Sequence, residues 1–258
     1  MTMVRPSSLF SLWRSSITSA PIFESRLPVY NYKLLTAEVI EVCNNLIIDA
    51  KLEDSQQVAA FCGAVEVAKM CKPGMRLLLK RTSNSKRLVK YNVAFIETES
   101  GIVFANPKYN RQLFQEAFEN NVLDDFAEYN ICIPLNINDN VSGIDFELRS
   151  DDGKKCFVFV TSLYEKQEGY AVFPQAINFF EMKILEEMKK HQKNGDDVCI
   201  FMIVPRDDCI SAKFVWNLNA LAAASTFEAA KNGIKFLCYG CNVAKNHVEI
   251  GRKMEILY

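Results

Sequence analysis

Short apolar runs separated by turn-forming residues dominate the first hundred residues of the chain. Two such runs flank the turn 43–45, and Lys72-Pro73-Gly74 interrupts the pattern further on. Runs of this length with turn signals between them are typical of a small β-barrel. The strands predicted from them are 33–42, 46–52, 75–81, 93–97 and 101–104. Residues 54–70 are rich in Ala, Val and Gln, and they predict a short helix or an irregular excursion.

The remainder of the chain alternates strand and helix patterns. An amphipathic helix is predicted over 108–120, because Leu113, Ala117 and Phe118 lie near one face. The turn 150–153 joins two strands as a hairpin, and the continuous apolar run at 198–204 predicts a fully buried strand. We predict strands at 132–136, 142–149, 155–161, 198–204 and 234–239, and helices at 174–191 and 217–231. This order indicates an α/β (α+β) domain.

Composition limits the class of protein. The hydrophobic fraction is 49%, which is enough to fill a sizeable core. The chain has 30 Lys and Arg against 31 Asp and Glu, so its net charge of −1 attracts neither nucleic acid nor acidic membranes as a whole. Any RNA binding would therefore need a local basic patch. Nine scattered cysteines indicate reduced, buried thiols, and no apolar run is long enough to predict a transmembrane helix.

Seven blocks of the chain, in order and at similar spacing, resemble the sugar fermentation stimulation protein A family. Residues 142–146 read SGIDF where the family has SRIDF, and residues 157–162 read FVFVTS where it has YIEVKS. The other blocks are 32–39, 85–91, 103–107, 169 with 173–176, and 229–239. The resemblance implies an N-terminal OB-like β-barrel followed by a PD-(D/E)XK restriction-endonuclease-like mixed sheet.

The resemblance, together with the composition of the N-terminus, implies a division of the chain. The expected parts are a presequence-like extension at 1–30, an OB-like domain at 31–107, a helical connection at 108–130 and a nuclease-like domain at 131–258.

The chain departs from the family at the charged positions. Arginines, carboxylates and the lysine of the family's motifs are replaced by uncharged residues. The replacements are Pro134, Val141, Gly143, Phe159, Thr161 and Gln175. The fold resemblance therefore stands, while the catalytic resemblance fails.

Asp145 is the surviving acid of the nuclease-like site. Phe159 stands where the resemblance implies a second acid, and Thr161 stands where it implies a lysine. One carboxylate alone rarely holds a catalytic Mg²⁺. Glu147, two residues beyond Asp145, is the one candidate for a second ligand, and a residual nuclease would use this pair. Because no replacement for the lysine is evident, we predict a pseudo-nuclease with no catalytic residues, no metal and no cofactor.

A basic stretch in the predicted barrel is the candidate nucleic-acid-binding segment. It carries five cations and no acid between residues 80 and 91, and a loop of this kind can track phosphates while an aromatic ring stacks on a base. The alternative is a solvated turn. The candidate residues are Lys80, Arg81, Lys86, Arg87, Lys90 and Tyr91.

Cys238 and Cys241 form a CxxC pair after a predicted strand and before residues 242–253, which are interpreted as helical. This arrangement is typical of a redox pair or of half a zinc site. The redox hypothesis requires a depressed thiol pKa. Without a second CxxC, two structural thiols at a strand end are the alternative.

The N-terminus predicts a location. Residues 1–23 contain Arg5, Arg14 and six serines but no acid, a pattern typical of a mitochondrial presequence. We therefore expect a catalytically inactive structural or RNA-contacting subunit of a mitochondrial assembly in or facing the matrix. The first expectation is the mitochondrial ribosome, with rRNA as a partner and no small-molecule substrate. A respiratory-chain or ATP synthase subunit, and a nucleic-acid-binding regulator, are the alternatives.

Overall fold

A computed structural model describes residues 33–135, 143–174 and 179–258. The presequence-like segment and Gln175 lie outside the described residues. The first sheet contains the strands β1 (Leu35–Asn44), β2 (Ile47–Leu52), β3 (Gln57–Phe61), β4 (Arg76–Arg81), β5 (Tyr91–Thr98) and β6 (Gly101–Phe104).

The first sheet closes into a five-stranded barrel. Its order is β3-β2-β1-β4-β5-β6, and closure comes from a parallel pairing of β3 with β5 that places Ala60 opposite Tyr91. Ala37 and Val39 of β1 point into the barrel while Glu38 between them is exposed, as the two-residue period of a strand requires. The predicted OB-like barrel is thus confirmed.

The second sheet has a parallel centre. Its strands are β7 (Ile131–Pro134), β8 (Phe146–Arg149), β9 (Lys155–Ser162), β12 (Asp197–Val204), β14 (Lys235–Ala244) and β15 (His247–Lys253), in the order β15-β14-β12-β9-β8-β7. The strand β12 pairs in parallel with both β9 and β14. Seven of its eight residues are buried, because both faces of the sheet are covered. The predicted mixed sheet is confirmed.

Four α-helices accompany the strands in the described ranges of the chain. They are α1 (Val65–Met70), α2 (Asn110–Glu119), α3 (Phe179–Lys193) and α4 (Ala220–Lys231), and a 3₁₀ turn at Pro107–Tyr109 leads into α2. The Asn219 side chain accepts a hydrogen bond from the Ala222 backbone N–H and so caps the start of α4. Within the described parts of the chain, none of the helices is long and apolar enough to span a membrane.

A small sheet is absent from the predicted elements. It consists of β10 (Lys166–Gln167), β11 (Tyr170–Phe173), β13 (Ser211–Phe214) and β16 (Ile256–Leu257). Its strands are two to four residues long and pair over long sequence distances, so periodicity carries little signal for them.

Two predictions of secondary structure need correction. Residues 242–253 are not helical, because β14 continues to Ala244 and turns into β15, whose Val248 and Ile250 are buried at strand spacing. Residues 54–70 contain strand β3 as well as helix α1, and the cross-strand partners of β3 in β2 decide its conformation.

The apolar core is continuous from the barrel into the second sheet. One cluster of buried residues contains Phe95 and Phe104 of the barrel, Phe114 of α2, and Phe201 and Tyr239 of the second sheet. A second cluster covers the opposite face of that sheet, beneath α3, α4 and the small sheet. The barrel and the nuclease-like half are therefore packed as one body.

A buried ionic cluster also ties the barrel to the second half. The Asp208 carboxylate accepts hydrogen bonds from Arg206 Nε at 2.5 Å and Nη2 at 2.9 Å, and from Lys166 Nζ at 2.8 Å. It also accepts from the Ser100 hydroxyl in the β5–β6 turn. Arg206 Nη1 donates to the Tyr164 carbonyl oxygen at 2.7 Å. We call this set the Asp208 cluster.

Candidate functional site

The strand β9 carries Phe159 and Thr161 on one side of the sheet. In the parallel register, Phe159 lies opposite Ile200 of β12, and Thr161 lies opposite Met202. Both residues line a cavity of about 270 Å³. The phenyl ring of Phe159 packs against the second cluster of buried residues. The position where a metal ligand is expected is therefore apolar.

Asp145 lies just before β8 and is held by hydrogen bonds, one of which its carbonyl oxygen accepts from the Leu135 N–H at 2.9 Å. Its backbone N–H donates to the Val158 carbonyl oxygen at 2.9 Å, and its Oδ2 accepts from the Val160 N–H at 2.8 Å. Oδ1 accepts from Arg111 Nη1 at 3.2 Å. Both carboxylate oxygens thus have partners within the protein.

The Arg111 guanidinium is the positively charged group that pairs with Asp145. It extends from α2, and its Nη2 donates to the Leu135 carbonyl oxygen at 2.6 Å. The guanidinium carbon also lies 5.2 Å from the centre of the Phe146 ring. These three contacts fix a permanent positive charge next to the one surviving carboxylate. Sequence reasoning missed Arg111, since nothing local connects residues 34 positions apart.

The pKa of Asp145 reflects a balance of opposing effects. Burial raises the pKa of this carboxyl above its usual range, while the Val160 N–H and Arg111 act in the opposite direction and offset it in part. Only 14% of the side chain is exposed. A buried carboxylate that already has a fixed cation is a poor ligand for a second one.

Glu147 is engaged elsewhere. Its Oε1 lies 2.7 Å from Arg149 Nε and 3.6 Å from Lys155 Nζ. Partial burial raises the pKa of Glu147, but the hydrogen bond from Arg149 and the nearby charges outweigh it, so the pKa is lowered. Neither Glu147 nor Asp145 lines the cavity beside Phe159.

These residues do not fit a catalytic Mg²⁺. Such a site needs several oxygen ligands that converge on open space, and here one carboxylate pairs with Arg111 and the other with Arg149 and Lys155. Within the described ranges, three potential ligand groups converge only in the barrel hairpin, at Glu41, Cys43 and Asp49.

The predicted basic stretch contributes to a groove on the barrel. Lys80, Arg81 and Arg87 line it, and Lys108 from the 3₁₀ turn before α2 joins them. The groove has a volume of about 620 Å³, and no acidic side chain is among the described residues that line it. The Arg87 guanidinium donates to Asn92 Oδ1 at 3.0 Å, so one wall is preformed. Lys108 was not predicted, because it lies outside the basic stretch of sequence.

The other three candidates of the stretch do not line this groove. Lys86 is exposed beside it, and Lys90 Nζ donates to the Ser85 carbonyl oxygen at 2.6 Å. Tyr91 packs against the barrel core. The aromatic side chains at the groove are instead Phe61 and Tyr109.

Cys238 and Cys241 lie within β14 on opposite faces of the sheet. Cys238 belongs to the second cluster of buried residues, and Cys241 belongs to the cluster shared with the barrel. Burial raises the pKa of Cys238 to about 12 and also raises the pKa of Cys241. A redox pair needs adjacent thiols with depressed pKa values, so this arrangement does not support one.

Comparison with known proteins agrees with this architecture. A family model described as the sugar fermentation stimulation protein RE domain matches residues 108–247. A "Sugar fermentation stimulation protein homolog" from Maricaulis maris is 27% identical, over 86% of this chain and 96% of that protein. One from Paramagnetospirillum magneticum is 23% identical, over 84% of this chain and 93% of that protein.

A solved structure has the same fold. SfsA from Pyrococcus furiosus, determined in complex with Ca²⁺, superposes with a TM-score of 0.76. The match covers 90% of this chain and 100% of that one, at 14% sequence identity. The C-terminal half is therefore nuclease-like in its fold.

These relatives overturn the expected cellular role. The prediction of a mitochondrial ribosomal, respiratory-chain or ATP synthase subunit in the matrix is wrong, because the curated relatives are bacterial proteins and bacteria have no mitochondria. The prediction that such a complex and its rRNA are the partners is wrong for the same reason. The alternative interpretation of the presequence-like composition of residues 1–23 is an ordinary polar tail.

Proposed function

This chain belongs to the sugar fermentation stimulation protein family, and from that membership we propose that it is a nuclease-like protein that binds nucleic acid without cleaving it. The observation that carries the proposal is the basic groove, lined by Lys80, Arg81, Arg87 and Lys108. Lys86 and Lys90 of the same hairpin add positive charge beside it.

The charge of the groove suits a phosphate backbone. Four cations converge on one concave surface in a chain whose net charge is −1, so the positive field is local. Cations that neutralise phosphates release condensed counterions, and this release drives nonspecific binding. The two aromatic side chains at the groove, Phe61 and Tyr109, add surfaces suited to bases or sugars.

Arg111 supports the proposed absence of cleavage. It supplies the positive charge next to Asp145, and Phe159 and Thr161 supply neither the second carboxylate nor the lysine of the family's motif. We therefore expect the protein to leave DNA and RNA intact in Mg²⁺, Mn²⁺ or Ca²⁺. Divalent-cation-dependent cleavage that Asp145→Ala abolishes would contradict this part of the proposal.

The division of the chain is also a proposal. We place an OB-like domain at 31–107, a helical connection at 108–130 and a nuclease-like domain at 131–258. The strand order of the two large sheets supports this division, although their shared apolar cluster couples the parts energetically.

The test is fluorescence anisotropy with a labelled 20-nucleotide single strand across a salt series. If all four groove cations neutralise phosphates, the logarithm of the association constant plotted against the logarithm of the salt concentration should have a slope of roughly −3. Arg81→Ala and Lys108→Ala should each weaken binding and reduce the magnitude of the slope by about 0.7.

The matched control is Lys72→Ala, which removes an exposed barrel lysine that does not line the groove. It should leave both the affinity and the slope unchanged. Binding that responds equally to all three substitutions would show that the groove is not the site, and no binding at low salt would refute the proposal.

A further inference from the structure

The cavity beside Phe159 has a floor made by three neighbouring parallel strands. Phe159, Ile200 and Phe236 form one row across β9, β12 and β14, and Thr161 and Met202 lie in the next row. Each of these five side chains lines the cavity. The floor therefore presents two phenyl rings on either side of an aliphatic side chain, and this surface suits a flat apolar ring.

We call four of the polar side chains that line the cavity its rim. Asn110 and Ser162 lie on one side, where the Ser162 hydroxyl donates to Asn110 Oδ1 at 2.8 Å. Thr226 of α4 and Glu66 of α1 contribute a hydroxyl and a carboxylate. An apolar floor with a few hydrogen-bonding groups around it is the usual composition of a small-molecule pocket.

The cavity and the basic groove are neighbours. Asn106, Lys108 and Tyr109 line the groove, while Pro107 and Asn110 of the same segment line the cavity. A second shared segment contributes Gly63 to the groove and the following residue to the cavity. A ligand in one site therefore lies one short chain segment away from a ligand in the other.

Gly63 permits this close spacing. A Cβ atom at this position would lie 2.7 Å from Pro107 Cδ, so only glycine lets the two segments approach each other this closely.

We propose that this cavity receives one unpaired base of the nucleic acid strand whose phosphates lie in the basic groove. The inference rests on the proposed function and assigns a ligand class to the former nuclease cleft. A volume of about 270 Å³ is slightly below the usual range for ligand pockets, roughly 300–1,000 Å³, so it fits a single ring system rather than a larger ligand. The phenyl rings stack on the base, and the amide and hydroxyl groups of the rim hydrogen-bond its edge.

The experiment compares two labelled 12-nucleotide strands with equal charge, one with bases and one in which every nucleotide is abasic. DNA and RNA versions of the base-containing strand show which sugar is preferred. The full-length protein should bind the base-containing strand about 5- to 150-fold more tightly, which is the effect of stacking one base.

Thr161→Trp tests the location, because its indole fills the cavity. The affinity ratio between the two strands should then fall by about 5- to 150-fold, to the value that base contacts with the groove rings alone sustain. If the tryptophan variant does not fold, Thr161→Leu takes its place and should give an intermediate ratio. Arg81→Ala should instead weaken binding of both strands by the same factor, and so leave the ratio unchanged.

The outcomes separate the two proposals. Equal affinity of the wild-type protein for both strands, or an unchanged ratio in both Thr161 variants, overturns the base pocket and leaves the basic groove intact. A failure to bind either strand overturns the proposed function itself. A lower affinity ratio in the Thr161 variants, together with an unchanged ratio in Arg81→Ala, supports the base pocket.

Discussion

The Asp208 cluster predicts a large loss of stability when its charge is removed. Only 3% of the Asp208 side chain and 7% of the Arg206 side chain are exposed, and the carboxylate accepts from Arg206 twice and from Lys166 once. Asp208→Asn keeps the size of the side chain but leaves the buried guanidinium without its counter-ion. Breaking a buried pair in this way costs about 3–5 kcal/mol.

We expect the lower end of this range, about 3 kcal/mol, because the asparagine oxygen can still accept one hydrogen bond. For a chain of this size, that loss lowers Tm by roughly 6–12 °C. The measurement is thermal unfolding followed by circular dichroism at neutral pH. The matched control is Glu187→Gln, which breaks the exposed pair with Lys190 and should leave Tm unchanged.

The stabilisation by Asp208 should depend on pH in a definite direction. Burial raises the pKa of Asp208, but the hydrogen bonds from Arg206, Lys166 and Ser100 outweigh it and hold the pKa well below the usual range. A lowered folded-state pKa means that the stabilisation is complete above the unfolded pKa of about 4 and is lost as pH falls through the folded value. The Tm difference between Asp208→Asn and wild type should thus be constant above about pH 5 and shrink in stronger acid.

Two results would refute this reasoning. A Tm within 2 °C of wild type would show that the cluster is hydrated and carries little net stability, with roughly 2–4 °C expected for each kcal/mol. A difference that grows as the pH falls would show that the carboxyl is protonated more readily in the folded protein than in the unfolded chain. Either outcome would remove the ionic contribution to the packing of the barrel against the second half.

Two further predictions concern the candidate site and the thiols. Arg111→Leu should destabilise the protein by about 2–4 kcal/mol at pH 7 and by less near pH 4. The reason is that Asp145 is then buried without its cation, and burial favours the protonated form of its carboxyl. Urea unfolding at both pH values measures the loss of stability, and an equal loss at both would contradict the prediction. Cys43 is the one cysteine of the nine that is exposed, so Cys43→Ser should remove the fast phase of thiol labelling in the native protein. A fast phase that persists in this variant would show that one of the less exposed thiols becomes accessible to the reagent.

Strands with strong local patterns could be predicted from the sequence. The run around Phe201 is apolar throughout because β12 is covered on both faces, and the barrel strands show turn signals at their ends. The short strands of the small sheet could not be predicted, since two- to four-residue segments depend on partners distant in the chain. Residues 242–253 were misassigned as helical, although Val248 and Ile250 flank Glu249 at the two-residue spacing of a strand.

The sequence could predict which residues of the family's motif are missing from the candidate site, but not which residues take part in the site instead. Phe159 and Thr161 stand out in the sequence because the family's motif defines what is expected there. The pairing of Arg111 with Asp145 depends on how α2 packs against the second sheet, and residue type alone does not encode that contact. Lys108 likewise reaches the basic groove only because the 3₁₀ turn before α2 folds beside the barrel.

The start of α2 joins the three parts of the candidate site. Within four consecutive residues, Lys108 and Tyr109 line the groove, Asn110 lines the cavity and Arg111 pairs with Asp145. In a metal-dependent nuclease, the ion both neutralises the buried carboxylate and helps to orient the phosphate. Here Arg111 performs the first role without the ion, and the groove cations can perform the second. Under the proposed function, the loss of the metal ligands removes hydrolysis but not binding, because positive charge reaches both positions from the same short segment of chain.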